Sequence, residues 1–183
     1  MVKVRPTILK GEKVSLSPIM SEDKERWLLW FNDRDIQNFV NNPMNVYFEK
    51  DFDEVVEEVR KNKNTSISFA IVENSEGELV GFSGLEAIHW QARNAFVWYF
   101  LGKEHWEKGY ATEALALMCR FAFENMNLIK LHTIVYEPNK ASIRVLEKNG
   151  FKLVGRFRKH FYIPGYGYVD GLAYELLREE WQE

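Results

Sequence analysis

His105, Trp106, Glu107, Lys108, Gly109, Tyr110, Ala111, Thr112 and Glu113 form a run whose residue types and spacing suit one task, the holding of a phosphate. Gly109 and Ala111 are small residues two apart. After them Ala114, Leu115, Met118, Phe121 and Ala122 recur at the offsets of one helical face. A helix start leaves four main-chain N–H groups unpaired and carries about half a positive charge, so a loop that wraps it closely makes an anion site. Lys108 adds a cation at the mouth. Taken alone, Lys-Gly-x-Ala also fits an ordinary strand-turn-helix whose glycine relieves turn strain. The other phosphate loops fit worse. A Walker loop needs an upstream glycine where Glu104 stands and a Ser or Thr after its Lys, whereas Lys108 precedes Gly109; the three spaced glycines of the dinucleotide fingerprint are absent.

The elements that would position this run follow from periodicity. Asn94–Leu101 is an aromatic and β-branched run of strand character, closed by Gly102, and leads into the turn. Upstream, Lys13–Ser17 alternates and ends at Pro18 as a first strand. Ser21 is an N-cap candidate for a helix carrying Glu22 and Asp23 in its first turn and Trp27, Trp30 and Phe31 later. Asn32 to Pro43 is polar and turn-rich, and Phe52, Val55, Val56 and Val59 define another apolar helix face. From Ser66 the period becomes two: Ser66–Val72, a turn at Asn74–Gly77 and Leu79–Leu85 make a hairpin. Downstream come a strand at Leu131–Tyr136, a short helix at Ala141–Lys148 stopped by Asn149-Gly150, and strands at Phe151–Tyr162 and Val169–Leu177 around Pro164–Gly167. A strand-helix-strand crossover normally sets its two strands parallel and adjacent.

At 183 residues, with no repeat, low-complexity tract or linker, the chain reads as one domain over 1–183. Its 46% hydrophobic and 15% aromatic content favours a packed core over disorder. A net charge of −3 argues against general nucleic-acid binding. Cys119 is the single cysteine, so no internal disulfide forms, which suits a reducing cytoplasm. The first residues lack the apolar run of a signal peptide and no stretch of 18 apolar residues occurs, so a soluble, cytoplasmic protein without membrane contact is expected. His89, His105 and His132 show no carboxylate or cysteine spacing of a metal site, and no metal is expected.

Two separated motifs in order, Trp106-Glu-Lys-Gly-Tyr-Ala-Thr-Glu-Ala114 and Asn139-Lys-Ala-Ser-Ile-Arg-Val-Leu-Glu-Lys-Asn-Gly-Phe151, resemble the GNAT superfamily of acetyl-coenzyme A dependent N-acetyltransferases. Within it the chain is most similar to the ribosomal-protein N-terminal acetyltransferases of the RimJ and RimL type, over nearly its whole length. The resemblance implies an α+β fold: a mixed, mostly antiparallel sheet, flanked by helices, whose central strands splay to admit acetyl-CoA. It leaves the oligomeric state open, a homodimer included. It also implies that the amides of Glu107, Lys108, Gly109, Tyr110, Ala111 and Thr112 face the coenzyme's diphosphate. Free main-chain groups of Tyr99, Phe100 and Leu101 would pair with the pantetheine arm, one N–H holding the thioester oxygen as it becomes an oxyanion. Asn139 is either a ligand to that arm or a helix cap, and both roles are compatible. Ser142 and Arg144 lie at the start of the following helix, beside the sulfur and the adenine.

The sequence departs from the family's pattern at four places. Trp106 replaces the usual Gln or Arg, a change that backbone binding tolerates. Leu146 stands where the superfamily's usual tyrosine acid would be, and the resemblance to the RimL-type branch implies Ser142 as the acid for the departing thiolate; the alternative is that Ser142 only caps the helix or contacts coenzyme A. Phe96 and Trp98 replace a carboxylate and a glycine in or beside the cleft. Glu86, ending a core strand, is the candidate base, acting through water; the alternative is a solvated strand end. Arg156, Arg158, Lys159 and His160 form a wet strand face, or a site for an acidic acceptor or the coenzyme's 3′-phosphate.

A peptide α-amine is about 10 to 20% neutral at pH 7 and a lysine about 0.04%, a gap of roughly 3.4 kcal/mol. With no strong base in view, an α-amine or amino sugar is the easier acceptor. Three functions follow: acetyl transfer to a protein N-terminus, the same chemistry on a small amine such as an amino sugar, polyamine, amino acid or antibiotic, and a coenzyme A binding module with weak catalysis.

Overall fold

The computed structural model describes residues 5–40 and 45–182. Its frame is one eight-stranded sheet in the order β1-β2-β3-β4-β5-β6-β8-β7. The strands are β1 (Leu9–Lys10), β2 (Val14–Ser17), β3 (Ile67–Glu73), β4 (Leu79–His89), β5 (Asn94–Leu101), β6 (Lys130–Tyr136), β7 (Lys152–Ile163) and β8 (Gly167–Leu177). Every pairing is antiparallel except β5 with β6, which a helical crossover connects and so sets parallel. The expected mixed, mostly antiparallel sheet is therefore present.

Helices cover both faces. One carries α4 (Tyr110–Arg120) and α5 (Lys140–Lys148), packed over Val14, Leu16, Leu85, Val97, Leu131 and Leu176. Ala114, Leu115, Met118, Cys119 and Ala122 are each fully buried there. At about 1.5–3 kcal/mol for a large apolar side chain, this stripe holds α4 on the sheet. The opposite face carries α1 (Lys24–Phe31), α2 (Arg34–Gln37) and α3 (Glu49–Lys61), where Trp27, Trp30 and Phe52 pack on Ala70, Val72 and Phe82. The alternation of β5 divides its residues between the two layers: Val97, Tyr99 and Leu101 belong with α4, Trp98 and Phe100 with α1.

Local sequence logic fails in four places. Ser21 is not a cap: a 3-10 turn already spans Ser21–Asp23, Met20 caps it, and the Asp23 carboxylate accepts the Met20 N–H at 2.8 Å. Part of the turn-rich stretch after Asn32 is helical in α2, capped by Asp33, while residues 41–43 of that stretch lie outside the described residues. The two-residue β1 has no sequence signal of its own. The helical face expected to include Phe121 and Ala122 widens into a π turn over Phe121–Asn125, with the Met126 N–H on Phe121 O, and Asn127 then takes a left-handed φ of 56°.

Candidate active site

The central opening follows from unequal pairing. β5 pairs with β4 as far as Leu101, and β6 pairs with β8 as far as Tyr136, but β5 and β6 pair only from Asn94–Phe96 to Lys130–His132. Beyond that point each keeps its outer partner and the two part. The Gly102 N–H donates to Val80 O at 3.0 Å, which fixes the phase of the β4–β5 ladder. Alternation then turns the main chain of Val97, Tyr99 and Leu101 toward the opening and that of Trp98 and Phe100 toward β4. Of the three residues expected to meet the arm, Tyr99 and Leu101 thus face the gap and Phe100 does not. The Leu101 carbonyl is occupied, accepting the Trp106 indole N–H at 3.1 Å.

At the end of this opening stands the start of α4. Glu107 at φ 62° and Gly109 at φ 85° are both left-handed, and Gly109 is the N-cap, with no side chain capping the helix. Alternating handedness of this kind curls successive amides around one point. Among the described residues, none of the main-chain N–H groups from Glu107 to Thr112 donates to a protein acceptor; the first helical bond is Glu113 N–H to Gly109 O, 3.2 Å. Six consecutive unpaired amides at a helix N-terminus fit a diphosphate, and the open edge of β5 fits an amide-bearing arm. The residues present therefore suit coenzyme A.

α5 brings the other predicted residues to the same opening. Asn139 caps it, its Oδ1 accepting the Ser142 N–H at 3.1 Å, so the cap reading holds. Ser142 Oγ lies 2.9 Å from the phenolic oxygen of Tyr99, which also reaches Ser142 O at 3.3 Å. Burial pushes the Tyr99 phenol far above its ordinary range, keeping it protonated. Arg144 is exposed two residues further on, and Leu146 is buried in the core, leaving no hydroxyl there. Asn149 ties the helices together by donating to Thr112 O at 3.1 Å.

On the opposite face of the sheet, Glu86, Phe96 and His132 form a row across β4, β5 and β6. Glu86 does not end its strand as expected: β4 runs on past a bulge at Ala87, φ 49°, to His89, which pairs with Asn94. Glu86 stays open to solvent. Desolvation by its neighbours, then the Glu58 charge, pushes its carboxyl above the ordinary value, while the Trp98 N–H pulls the other way. Phe96 meets the His132 ring edge-on at 5.8 Å, and His132 is held below its ordinary pKa by burial and by Lys130. Trp98 lies over Gly84, where a Cβ would come within 2.7 Å of its ring. Arg156 is engaged by Asp170 and Glu137 at 2.9 and 3.0 Å, which removes it from any role as a free cation. Among the described residues no group of three or more His, Cys, Asp or Glu could hold a metal ion, and no helix is long and apolar enough to cross a membrane.

Two contributions were invisible in the sequence: the side chain of Tyr99, and Lys13, whose Nζ donates to Lys108 O at 3.3 Å. Both depend on contacts between residues far apart in the chain. Only Glu113, an acid in the first helical turn, hinted at the second.

A sheet splayed beside an amide-rich helix start suits an acyl-coenzyme A donor, and comparison supplies the family. Residues 13–152 match the acetyltransferase (GNAT) domain, so the chain belongs to that family and is an acetyl-CoA-dependent N-acetyltransferase. It is similar to two Bacillus subtilis proteins. One is the uncharacterized N-acetyltransferase YoaA, 25% identical over 177 residues (93% of this chain, 97% of the relative). The other is the SPbeta prophage-derived uncharacterized N-acetyltransferase YokL, 28% identical over 178 residues (96% of each). In fold it is similar to the Vibrio cholerae spermidine N-acetyltransferase solved with CoA and spermine, with a TM-score of 0.84 at 21% identity, covering 93% of this chain and 98% of that one.

Proposed function

We propose that the acceptor is the α-amine of a protein N-terminus, as in enzymes of the RimJ and RimL type. The observation that carries this is the make-up of the acceptor face. Phe96 and Trp98 fill positions beside the cleft, leaving Glu86 as the carboxylate of the Glu86–Phe96–His132 row. One mildly basic carboxylate suits an amine that is already about 10 to 20% neutral at pH 7 far better than one that is about 0.04% neutral.

Acetyl-CoA supplies the activated acetyl thioester. The protein's part is to hold and orient it and to manage two protons. The amides from Glu107 to Thr112 hold the diphosphate, and the free main-chain groups of Tyr99 and the N–H of Leu101 align the arm, helped by Asn139. Glu86 accepts the proton of the incoming amine through water. Ser142 donates a proton to the departing sulfur, and Tyr99, held neutral behind it, stands ready to replace that proton. A main-chain N–H at the opening stabilises the oxyanion, a contribution of about 2.7–4 kcal/mol in comparable sites.

A second reading, transfer to a small polyamine, is favoured by the fold of the spermidine N-acetyltransferase named above. The test is an acceptor panel at pH 7. Turnover on peptides beginning with free Ala or Ser and none on spermidine, aminoglycosides or free amino acids supports the first reading. Turnover on spermidine with none on peptides overturns it.

A further inference from the structure

The turn between β1 and β2 is pinned to the phosphate loop by a carboxylate from inside the helix. Glu113, in the first turn of α4, accepts the main-chain N–H groups of Glu12 and Lys13; the Lys13 N–H reaches Oε2 at 2.9 Å and Oε1 at 3.1 Å. Gly11 makes this approach feasible, since a Cβ there would collide with the Glu113 carboxylate. The consequence falls on the next side chain. With its main chain clamped, Lys13 extends over the loop: its Nζ donates to Lys108 O at 3.3 Å and lies 3.2 Å from where a Cβ of Gly109 would stand.

That ammonium has donors to spare. Of its three N–H bonds one is used. Among the described residues neither Lys13 nor Lys108 closes an ion pair, although the Glu73 carboxyl, held below its ordinary value first by the Glu76 and Ser75 N–H groups, is also lowered by the nearby Lys108 charge. Two of the three acids nearby are engaged by main-chain N–H groups, and Glu12 lines a cavity beside the loop. Glu113 holds the turn, and Glu73 accepts the N–H groups of Ser75 and Glu76 at 2.8 and 3.0 Å. Lys13, Lys108 and Tyr110, with Glu12 and Glu73, also border this open cavity of about 550 Å³. An ammonium with donors to spare, seated on a loop of six unpaired amides, is arranged for an anion.

We propose that Lys13 is a diphosphate-binding residue of this site and that Glu113 is the positioning residue that delivers it. The proposal rests on the reading of Glu107–Thr112 as the phosphate loop. It commits Lys13 to the diphosphate rather than to the 3′-phosphate because its ammonium sits on Gly109 itself.

The test is calorimetric titration of CoA and of dephospho-CoA into the wild-type protein and into Lys13→Met, Lys13→Arg, Glu113→Gln and Gly109→Trp variants, at low and high salt. Lys13→Met should weaken both ligands by about tenfold, a size typical of one charge-assisted hydrogen bond. The loss should shrink in high salt, which screens exposed charges. Lys13→Arg should recover most of the affinity, and Glu113→Gln should show a smaller loss of the same kind. The melting temperature of ligand-free Lys13→Met should match the wild type, separating a binding role from a structural one. Affinity of Lys13→Met within a factor of two of wild type overturns the proposal, as does a loss confined to CoA. Should Gly109→Trp bind CoA like the wild type, the loop reading itself fails, and that failure is distinct from the other two.

Discussion

The Tyr99 phenol stands 2.9 Å from Ser142 Oγ, bridging the parted strand β5 to the first turn of α5. It supplies a half-buried hydroxyl beside the helix on which Leu146 has none. Replacing Ser142 with Ala should lower kcat by about a hundredfold, the low end for a lost proton donor. Tyr99→Phe should lower it by a smaller factor, and the double variant should be no worse than Ser142→Ala, since the two act as one unit. Single-turnover rates measure the chemical step, and affinity for CoA should stay near wild type in both. Rates within a factor of two of the parent for Ser142→Ala remove it as the acid.

Glu86 sets the acid limb of the pH profile. To accept a proton it must be ionised, and its carboxyl is raised from the ordinary value by desolvation and by Glu58. On acidification, kcat at saturating acceptor should therefore fall through a midpoint above the ordinary glutamate value of about 4.3. In Glu86→Gln that inflection should vanish and the plateau drop by about a hundredfold. A variant that keeps both the plateau and the inflection shows that Glu86 is a solvated strand residue with no part in the chemistry.

Much of this was legible beforehand because it is local. The period-two hairpin of β3 and β4, the aromatic run of β5, the small residues of the Gly109 turn and the Asn139 cap each state their structure within a few residues. What escaped depends on the rest of the fold. Met20 caps a turn only because the Asp23 carboxylate folds back on its N–H. The π turn at Phe121–Asn125 carries no Pro or Gly, and the strand phase that turns Phe100 to β4 is set by the Gly102 N–H on Val80 O. Lys13 and Glu113 are a hundred residues apart, and no periodicity connects them.

Gly84 and Trp98 form a dependent pair on the acceptor face. A methyl group at position 84 would come within 2.7 Å of the Trp98 ring and 2.6 Å of Ile67 O. Gly84→Ala should cost about 1–3 kcal/mol, the usual range for overpacking, read as a lower midpoint in denaturant. Adding Trp98→Ala should recover part of the loss, the remainder reflecting the main-chain contact. Equal losses with and without Trp98 contradict the pairing.

The account stands on where the acyl donor lies, and a crystal structure of the protein soaked in acetyl-CoA tests that directly. Diphosphate density should rest on the amides of Glu107 to Thr112, with the thioester in the gap between β5 and β6 and its sulfur near Ser142. Density for the donor anywhere else, or a gap filled by the protein's own side chains, contradicts the account.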